Sequence, residues 1–575
     1  MERISEHGGA GRTPTVPYTY APLNASRKEI RVLLIQPDPD PDAVLSMTLQ
    51  TVSLLDSPRF NALSYCCGTG PPSIQVLLHG NDTWITTNLA SGLRQLRAND
   101  VNDAVVVMPV WVDALCISQD DEEEQSQQVL LMREVYGQAA EVKVWLGDAD
   151  DATELAITSL HLFILREWAG GDISSIISRI DPAILVGEPV AAVASLFRRR
   201  YWTRRWILQE QLLAKNMRLY CGRWNVSWSG PAREALSVNL VRLMEMIDPR
   251  GTGDHSMVDI FDAIFPVLPR SLAPLIDDRP PDWPREAFLD QVATHECVRP
   301  HDIVYALLGL LPNMDIIPDY SAPLSNVLTD YVYRLMSEFD QLNILYQLRS
   351  SDSTLPSWVP EMRPEVLKRL RLSVHVRTAS MGHAMYQCAA GHSATPFLEL
   401  ERNTLCVLGF QLDSIAAIGT KPPDWVTLSN PNQFQGNLPS DWWALYSAHC
   451  QQNEPVVATE AVEDELFRIY HRDRLSGAAL SHAISLSKKR SSRLTDEDIA
   501  ACRSDAYAGY RFVTLGLQTF FVTQDGRAGM THTGPQVGDC IFAIAGLGMP
   551  LILRQTDQPD GQPVAWEKIA VCYLH

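Results

Sequence analysis

The stretch VVVMPVWV at residues 105–112 is the strongest indication of the fold class. It is continuously apolar and rich in valine, as expected for a strand that is buried on both faces of a parallel sheet. Pro109 has no backbone N–H to donate, which argues against a central place for this residue in a strand ladder. The acidic residues 120–124 then favour a helix start, because negative charge stabilises a helix N-terminus. The apolar stripe of that helix consists of Val129, Met132, Tyr136 and Ala139.

Short β-rich runs lie on both sides of this predicted helix. They are residues 30–35, 60–65, 74–78, 84–86 and 142–146. Gly80-Asn81-Asp82 separates two of these runs and indicates a β-hairpin. Strands that alternate with helices indicate an α/β domain with a parallel sheet. Ligands of such sheets bind beyond the carboxyl ends of the strands, where Asp113 and the loop 65–70 are expected.

A second stretch, RRYWTRRWILQE at residues 199–210, places one carboxylate among aromatic residues. In a continuous helix, one face that spans roughly 80° would hold four residues. They are Trp202, Trp206, Glu210 and Leu213. Removing a carboxylate from water is costly unless it is paired. Two explanations of Glu210 stay open: an ion pair with Arg204, Arg205 or a more distant Arg, and a catalytic acid in a desolvated cleft.

The composition narrows the classes of function. The chain has 575 residues, of which 46% are hydrophobic and 20% are charged. This is a globular profile, long enough for roughly two to four packed units. The net charge of −20 argues against nucleic-acid binding, which relies on a basic face. The sequence has no run of about 18 apolar residues, so it predicts no membrane span.

The cysteines and the N-terminus predict a cytoplasmic protein. The 11 cysteines are scattered and form neither a CxxC pair nor a Cys/His cluster with zinc-finger spacing. We therefore expect reduced thiols in a reducing compartment and no metal site. Residues 1–17 lack the apolar core of a secretory signal, and we expect a disordered lead-in there.

Changes in sequence pattern along the chain predict its domain organisation. The predicted parts are an α/β domain at 18–230, a helical region at 231–380 and a mixed, β-rich C-terminal region at 381–575. Helical periodicity at 234–247 and 327–339 supports the middle part. Short apolar runs between residues 520 and 573 predict a small antiparallel unit.

Several motifs resemble those of the fungal heterokaryon incompatibility (HET) domain proteins. The first is ALSYCCG at 62–68, the second and most specific is WVDALCISQD at 111–120, and the third is the stretch 199–210 with Trp224 and Trp228. Elements that usually follow in the family are similar to RPHDIVYALLGL at 299–310, LPSWVP at 355–360, Gly538-Asp539 and residues 550–554. The resemblance therefore covers most of the chain.

This sequence departs from the family pattern at three positions. Cys67 stands where the family usually has Trp, Ser118 where it has Asn, and His301 where it has Arg. Cys67 and Ser118 are expected near the cleft, so the usual ligand contacts are expected to be altered in this member.

The resemblance implies a fold and a chemistry. HET domains are remotely similar to Toll/interleukin-1 receptor (TIR) domains, which implies a TIR-like or flavodoxin-like parallel sheet. Several TIR domains cleave NAD at the nicotinamide–ribose bond with one Glu, and Glu210 is the matching residue. NAD would be a substrate, and no cofactor is implied. The expected substrate-binding residues are Tyr65, Gly68, Asp113, Ser118, Trp202 and Trp206.

Each of these residues also has a structural explanation. Trp202 and Trp206 could stack on a ring or anchor the core, where large aromatic side chains usually lie. Asp113 could accept a ribose hydroxyl or cap the following turn. Asp302, before an apolar helix, is expected to be an N-cap or the partner in a buried ion pair.

Three functions stay open at this point. The first is a cell-death effector of heterokaryon incompatibility, implied by the resemblance, that cleaves NAD through Glu210. The second is a non-enzymatic module that signals by self-association or by binding a protein partner. The third is a specialised-metabolite enzyme on the same scaffold, because a fold does not fix a function.

Overall fold

The computed structural model describes fourteen stretches of the chain. They are residues 18–68, 70–101, 108–168, 188–228, 295–311, 314–338, 342–369, 397–399, 404–420, 444–445, 448, 519–531, 534–556 and 564–574. These residues divide between two compact units. The first contains 18–228 and 297–321, and the second contains 295–296 and the residues from 322 onwards. The domain boundaries at 230 and 380 stay predictions.

The first unit is built on a nine-stranded sheet in the order β5-β4-β2-β1-β6-β3-β7-β8-β9. The strands are β1 (Glu29–Ile35), β2 (Ser46–Ser53), β3 (Asn61–Tyr65), β4 (Ile74–Leu78), β5 (Asn81–Ile85), β6 (Val110–Trp111), β7 (Val142–Trp145), β8 (Met217–Cys221) and β9 (Trp224–Ser227). All five residues of β3 are buried, as expected for a strand covered on both faces. The α/β fold class is therefore confirmed.

The sheet is mixed, with a parallel centre and antiparallel pairs around it. Strands β3, β6, β7 and β8 pair in parallel in its centre, and β2 pairs in parallel with β4. The strand pairs β1–β2, β1–β6, β4–β5 and β8–β9 are antiparallel. Hairpins β4–β5 and β8–β9 form the two edges, since antiparallel neighbours need only short connections.

The parallel centre has a flavodoxin-like strand order. Its order across the sheet is β6-β3-β7-β8, which is 2-1-3-4 when these strands are numbered along the chain. In such sheets the order reverses between the first and third strands, and ligands bind outside the carboxyl ends there. Here those strands are β3 and β7. The carboxyl end of β3 is therefore where the fold favours a functional site.

Two strand predictions need correction. Residues 105–107 of the predicted strand at 105–112 lie outside the described residues, and of the remaining five only Val110–Trp111 form a strand, β6. Pro109 precedes β6, where its carbonyl accepts a 2.8 Å hydrogen bond from Asn61 N–H and needs no N–H of its own. The hairpin turn is His79-Gly80, both at positive φ, and not Gly80-Asn81-Asp82.

The helices of the first unit follow the predicted pattern around the sheet. They are α1 (Thr87–Val101), α2 (Asp113–Cys116), α3 (Glu122–Gln138), α4 (Thr153–Trp168), α5 (Glu188–Phe197), α6 (Ile207–Leu213) and α7 (Asp302–Tyr305). Asp121 caps α3 by accepting a 3.0 Å hydrogen bond from Glu124 N–H. The predicted stripe of α3 is confirmed, because all four of its residues are buried.

The segment before α6 is not one helix. A 3₁₀ turn, Arg200–Thr203, is followed by Arg204 in an extended conformation, and α6 begins only at Ile207. The predicted face of Trp202, Trp206, Glu210 and Leu213 therefore does not exist as such. Trp206 and Glu210 keep their helical relation, since Glu210 N–H donates to the Trp206 carbonyl, whereas Trp202 lies on the separate turn.

The second unit contains helices α8 (Leu324–Glu338) and α9 (Pro364–Arg369), a strand pair and a closed barrel. The pair is β10 (Phe397–Glu399) and β11 (Thr404–Cys406). The barrel strands are β12 (Gly409–Ile418), β13 (Thr519–Thr523), β14 (Ala528–Thr531), β15 (Cys540–Ile544), β16 (Leu551–Thr556) and β17 (Ala565–Leu574). The predicted antiparallel unit near the C-terminus is confirmed, and closure removes its edges. The lead-in at 1–17 and the helix at 234–247 lie outside the described residues.

Candidate functional site

Polar side chains collect at the carboxyl end of β3 in the first unit. We call this group the Glu210 cluster. It consists of Ser64, Tyr136, Tyr201, Arg204 and Glu210, with Tyr65 and Asp113 beside it. The strand β3, the helices α3 and α6 and the 3₁₀ turn before α6 each contribute to it. The cluster therefore depends on segments that lie far apart in the sequence.

Glu210 is buried and accepts hydrogen bonds from two hydroxyl groups. Ser64 Oγ donates a short hydrogen bond to Oε2 of Glu210, and the Tyr136 hydroxyl also donates to this carboxyl group. Tyr201 OH lies 2.7 Å from Ser64 Oγ. A serine hydroxyl has a single hydrogen, which Ser64 gives to Glu210, so Tyr201 must be the donor to Ser64. The result is a relay of hydroxyls from Tyr201 through Ser64 to Glu210.

Arg204 is the cationic neighbour of Glu210, as one of the open explanations proposed. Its NH1 lies 4.0 Å from Oε1 of Glu210, at the outer limit of an ion pair. The same NH1 donates a short hydrogen bond to the Tyr65 carbonyl at the end of β3. Arg205 has a different role, since its NH1 donates to the Ile303 carbonyl at 2.9 Å. The Arg204 guanidinium thus joins the residues before α6 to the end of β3. It does not form a bidentate ion pair with the Glu210 carboxylate.

Burial and neighbouring charges shift the pKa values of the cluster. Burial raises the pKa of Glu210 above its usual range, and the Asp113 charge adds to this, against the opposing effects of Arg204, Ser64 and Tyr136. Burial opposes the charged form of Arg204, but Glu210 and Asp113 outweigh it and raise the Arg204 pKa. Burial and Asp113 also raise the pKa of Tyr65. A carboxyl group with a raised pKa in such surroundings is a candidate acid or base.

Asp113 lies at the start of α2, directly after β6. Its Oδ1 accepts a 2.7 Å hydrogen bond from Ala114 N–H, so the side chain holds the first turn of this short helix. It is half-buried, and its charge raises the pKa values of Tyr65 and Glu210. Both explanations of Asp113 are thus compatible with its place: it holds the turn, and it stands beside the cluster.

Three other residues that were predicted to bind substrate differ in their contacts and in their place relative to the Glu210 cluster. Tyr65 is buried, and its hydroxyl lies 3.6 Å from Cys67 Sγ in the loop that follows β3. Gly68 is exposed in the same loop at a φ of 84°, a conformation that favours glycine. Ser118 belongs to another contact, because its N–H donates to Glu124 Oε1 at 2.7 Å. The structure therefore places Tyr65 beside the Glu210 cluster. The backbone of Ser118 instead contacts Glu124.

The two tryptophans have different surroundings. Trp202 is buried, donates from Nε1 to the Leu196 carbonyl at 2.9 Å and packs against Phe197 and Trp228. It is a core anchor. Trp206 is half-buried, and its indole forms a hydrogen bond with Asp302. The prediction of a ring-stacking role has no support at Trp202.

The partners of Glu210 and Trp206 could not be predicted from local sequence patterns. Ser64 and Tyr201 are 137 residues apart, and no local pattern joins them. Asp302 was expected to be an N-cap or an ion-pair partner, but His301 is the N-cap and Asp302 instead accepts from Trp206 and from Tyr320 OH. The local signal was Ser64, a polar residue within the buried strand β3.

Other kinds of site have less support in the described part of the chain. No group of three or more His, Cys, Asp or Glu side chains there could hold a metal ion. The described cysteines are free thiols, and Cys116 is buried. None of the described helices combines the length and apolar character that a membrane crossing requires.

Comparisons with known proteins identify the domain that holds the cluster. Residues 60–210 match the family model "Heterokaryon incompatibility protein (HET)". The chain is also 27% identical, over 411 residues, to "Heterokaryon incompatibility protein 6, OR allele" of Neurospora crassa. This alignment covers 61% of the chain and 60% of the relative, so the chain spans only part of the relative's length. No solved structure matches the chain. The chain therefore contains a HET domain, whereas the TIR likeness stays a prediction.

Proposed function

We propose that this chain acts in heterokaryon incompatibility, as an effector whose activation ends in cell death. The HET match at residues 60–210 and the name of the Neurospora relative support a role in incompatibility. The match contains all members of the Glu210 cluster, so this cluster is the natural candidate for what the domain does. Its trigger would be a protein partner or self-association.

Within this role, we propose that the HET domain cleaves NAD at the nicotinamide–ribose bond. One observation carries the proposal: Glu210 is a buried carboxyl group of raised pKa, bound to Ser64 near the carboxyl end of β3 in a sheet of flavodoxin-like order. Ligands of such sheets bind at this edge. A carboxylate there can stabilise the positive charge that develops on a ribose as its glycosidic bond breaks.

The contacts of Glu210 suggest how a ribose would be held. In this structure Ser64 donates a hydrogen bond to Oε2 of Glu210. A ribose hydroxyl that binds this oxygen would have to replace the Ser64 hydroxyl there. Ser64 would keep its bond to Tyr201, which lies 2.7 Å away. Arg204 is bound to the Tyr65 carbonyl and would stay beside the carboxylate, where its charge lowers the pKa of Glu210 against the effect of burial. Nicotinamide leaves as a neutral base, so no separate general acid is required. Water would then add to C1′ of the ribose and lose a proton to solvent, which gives ADP-ribose.

A second candidate is a non-enzymatic signalling module. The specific observation in its favour is that hydroxyl groups of the protein already donate hydrogen bonds to the Glu210 carboxyl group. Only 4% of the surface of Glu210 is exposed. In this case Glu210 would fix α6 to β3 and present a rigid surface for self-association or a protein partner. The metabolite-enzyme hypothesis has no comparable support and stays a hypothesis.

NAD turnover by the purified full-length chain, dilute and after forced self-association, tests the first proposal. The products nicotinamide and ADP-ribose are separated by chromatography. We expect Glu210→Gln to lower turnover by about 10²–10³-fold, the loss typical of removing one electrostatic stabiliser. The matched control is Glu124→Gln, which removes a buried carboxylate of the same domain outside the cluster.

The outcomes separate the two candidates. Turnover that is lost in Glu210→Gln and kept by folded Glu124→Gln supports NAD cleavage at the cluster. Absence of turnover in well-folded wild-type protein, dilute and assembled, would overturn the enzymatic proposal. The signalling candidate would then be tested by whether Glu210→Gln changes self-association measured by light scattering.

A further inference from the structure

The helix α6 that carries Glu210 is held on one side by a segment from much later in the chain. This segment, residues 299–320, belongs to the first compact unit but lies outside the HET match, which ends at 210. We call it the clamp. Arg205, Trp206 and Gln209 contact the clamp, while Arg204 and Glu210 contact the end of β3. The short helix therefore lies between two sets of bonds.

Backbone carbonyls of the clamp accept most of these bonds. Arg205 NH1 donates to the Ile303 carbonyl at 2.9 Å, and Gln209 Nε2 donates to the Tyr305 carbonyl at 3.3 Å. From α3, Arg133 donates a short hydrogen bond to the Gly309 carbonyl. At Gly309 an added Cβ would collide with the Gln209 side chain, so the absence of a side chain lets the clamp approach α6 closely.

Asp302 joins the clamp to the residue at the start of α6. Its carboxyl group is buried, with 6% of the residue exposed, and accepts hydrogen bonds from the Trp206 indole and from Tyr320 OH at 2.9 Å. Trp206 is the N-cap position of α6, four residues before Glu210, and its carbonyl accepts from Glu210 N–H. A shift of Trp206 would therefore move Glu210 through one turn of helix.

The position of α6 depends on these tertiary bonds because the helix has only seven residues. A helix this short is not stable by itself in water. Arg204, two residues before the N-cap Trp206, has an extended backbone. The preceding 3₁₀ turn therefore does not continue into the helix and cannot fix the direction of α6.

We propose that the clamp positions Glu210, and that Asp302 is a positioning residue acting through Trp206. The functional unit of this HET domain is then the matched segment 60–210 together with residues 299–320. The proposal rests on the proposed NAD cleavage only where turnover is the readout. A second readout, which needs no activity, is the reactivity of Cys67.

Cys67 reports on the cluster because it is exposed in the loop after β3 and its thiol contacts Tyr65. The Tyr65 carbonyl in turn accepts from Arg204, which precedes α6. Loosening α6 should therefore change the rate at which iodoacetamide alkylates Cys67, measured by peptide mass spectrometry. Cys406, an exposed thiol of the second unit, is the internal control.

The test uses Asp302→Asn in the full-length chain. We expect kcat for NAD to fall about tenfold with KM unchanged, because small displacements of a catalytic group cost this much or more and Asp302 does not touch substrate. Alkylation of Cys67 should become several-fold faster, with Cys406 unchanged. Tyr320→Phe, which removes one of the two bonds to Asp302 and keeps the ring, should give a smaller change in the same direction.

Arg97→Met is the matched control for general destabilisation. Arg97 is buried and donates hydrogen bonds to the carbonyls of Asp40, Pro41 and Ala43, away from the cluster. The proposal is overturned if Asp302→Asn and Tyr320→Phe leave both Cys67 alkylation and kcat at wild-type values, or change them no more than Arg97→Met does. If wild-type protein does not cleave NAD, the proposed chemistry fails, and the alkylation rates alone decide the clamp.

Discussion

Among the described residues of the first unit, two Arg–Glu pairs with buried carboxyl groups have opposite designs. In the first, Arg31 and Glu124 meet face to face, with NH1–Oε1 at 2.7 Å and NH2–Oε2 at 2.9 Å. In the second, Arg204 stands 4.0 Å from Glu210. Both carboxyl groups have less than a tenth of their surface exposed. Burial therefore does not explain the difference between the pairs.

The other hydrogen-bond partners of these charged groups explain why the two pairs differ in geometry. Arg31 also donates to the Cys116 carbonyl at 3.0 Å, and Glu124 also accepts from Ser118 N–H, so this pair joins β1, α3 and the end of α2. Glu210 instead receives hydroxyl donors, which can rotate towards other acceptors. A matched bidentate pair is suited to holding structure. A carboxyl group bound by hydroxyls is suited to exchanging its partners.

The largest effect on stability is expected at the matched pair. Glu124→Gln removes one partner and leaves the Arg31 guanidinium buried without its carboxylate. Breaking a buried pair in this way costs about 3–5 kcal/mol of unfolding free energy. Denaturant unfolding of wild-type and variant protein measures it. A loss below about 1 kcal/mol would remove the distinction between a structural and an exchangeable pair.

A buried lysine whose amine donates to a backbone carbonyl extends the comparison to the second unit. Lys568 on β17 is buried, and its Nζ donates to the Gln347 carbonyl at 2.8 Å. Burial, with the nearby Arg349 charge, lowers its pKa to about 7. The unfolded chain therefore binds a proton between pH 7 and 10 that the folded chain lacks, and stability rises with pH by about 1.4 kcal/mol per unit.

Lys568→Met tests this consequence. The variant should be more stable than wild type near neutral pH, and the difference should shrink as the pH rises towards 10, because the unfolded lysine then loses its proton too. Thermal unfolding at several pH values measures the difference between the two proteins. A difference that does not depend on pH would mean that Lys568 is charged in the folded chain.

The smallest effect is expected for Glu210→Gln on stability. The hydroxyls of Ser64 and Tyr136 can reorient towards the amide, so we expect a loss of about 1 kcal/mol, well below that of Glu124→Gln. Equal losses in the two variants would favour the structural explanation of Glu210.

The same variant has a predicted pH dependence. Because the pKa of Glu210 is raised in the folded chain, its contribution to stability is present below the unfolded value and is lost as pH rises through the folded pKa. Relative to Glu210→Gln, wild-type protein should lose stability over that window. NAD turnover that needs the ionised Glu210 carboxylate should rise over the same pH window. Turnover that does not change with pH there would mean that a group other than Glu210 has this role.

Much of the fold follows from local patterns in the sequence. The stripe on α3, with Asp121 as its cap, predicts that helix because helical periodicity and capping are local properties. The alternating C-terminal runs predict antiparallel strands for the same reason. The motifs at 62–68, 111–120 and 199–210 fall within or overlap the HET match. They identified Glu210 without showing what binds it.

Other features depended on competition between local and distant contacts. The pattern at 199–213 favours one helix, but Arg204 is extended where it donates to the carbonyl at the end of β3, and the helix is interrupted there. The run at 105–112 favours a long strand, but the described strand begins after Pro109. In both cases a bond to β3 accompanies the departure from the local preference.

The α/β class, the HET motifs and the candidate carboxylate can be inferred from the amino-acid sequence, since periodicity and motifs are properties of neighbouring residues. The folded chain adds which arginine faces which glutamate, that Ser64 reaches Glu210 across 146 residues, and that Asp302 binds Trp206. These contacts follow from the strand order, because placing β3 between β6 and β7 brings together side chains that no sequence spacing connects.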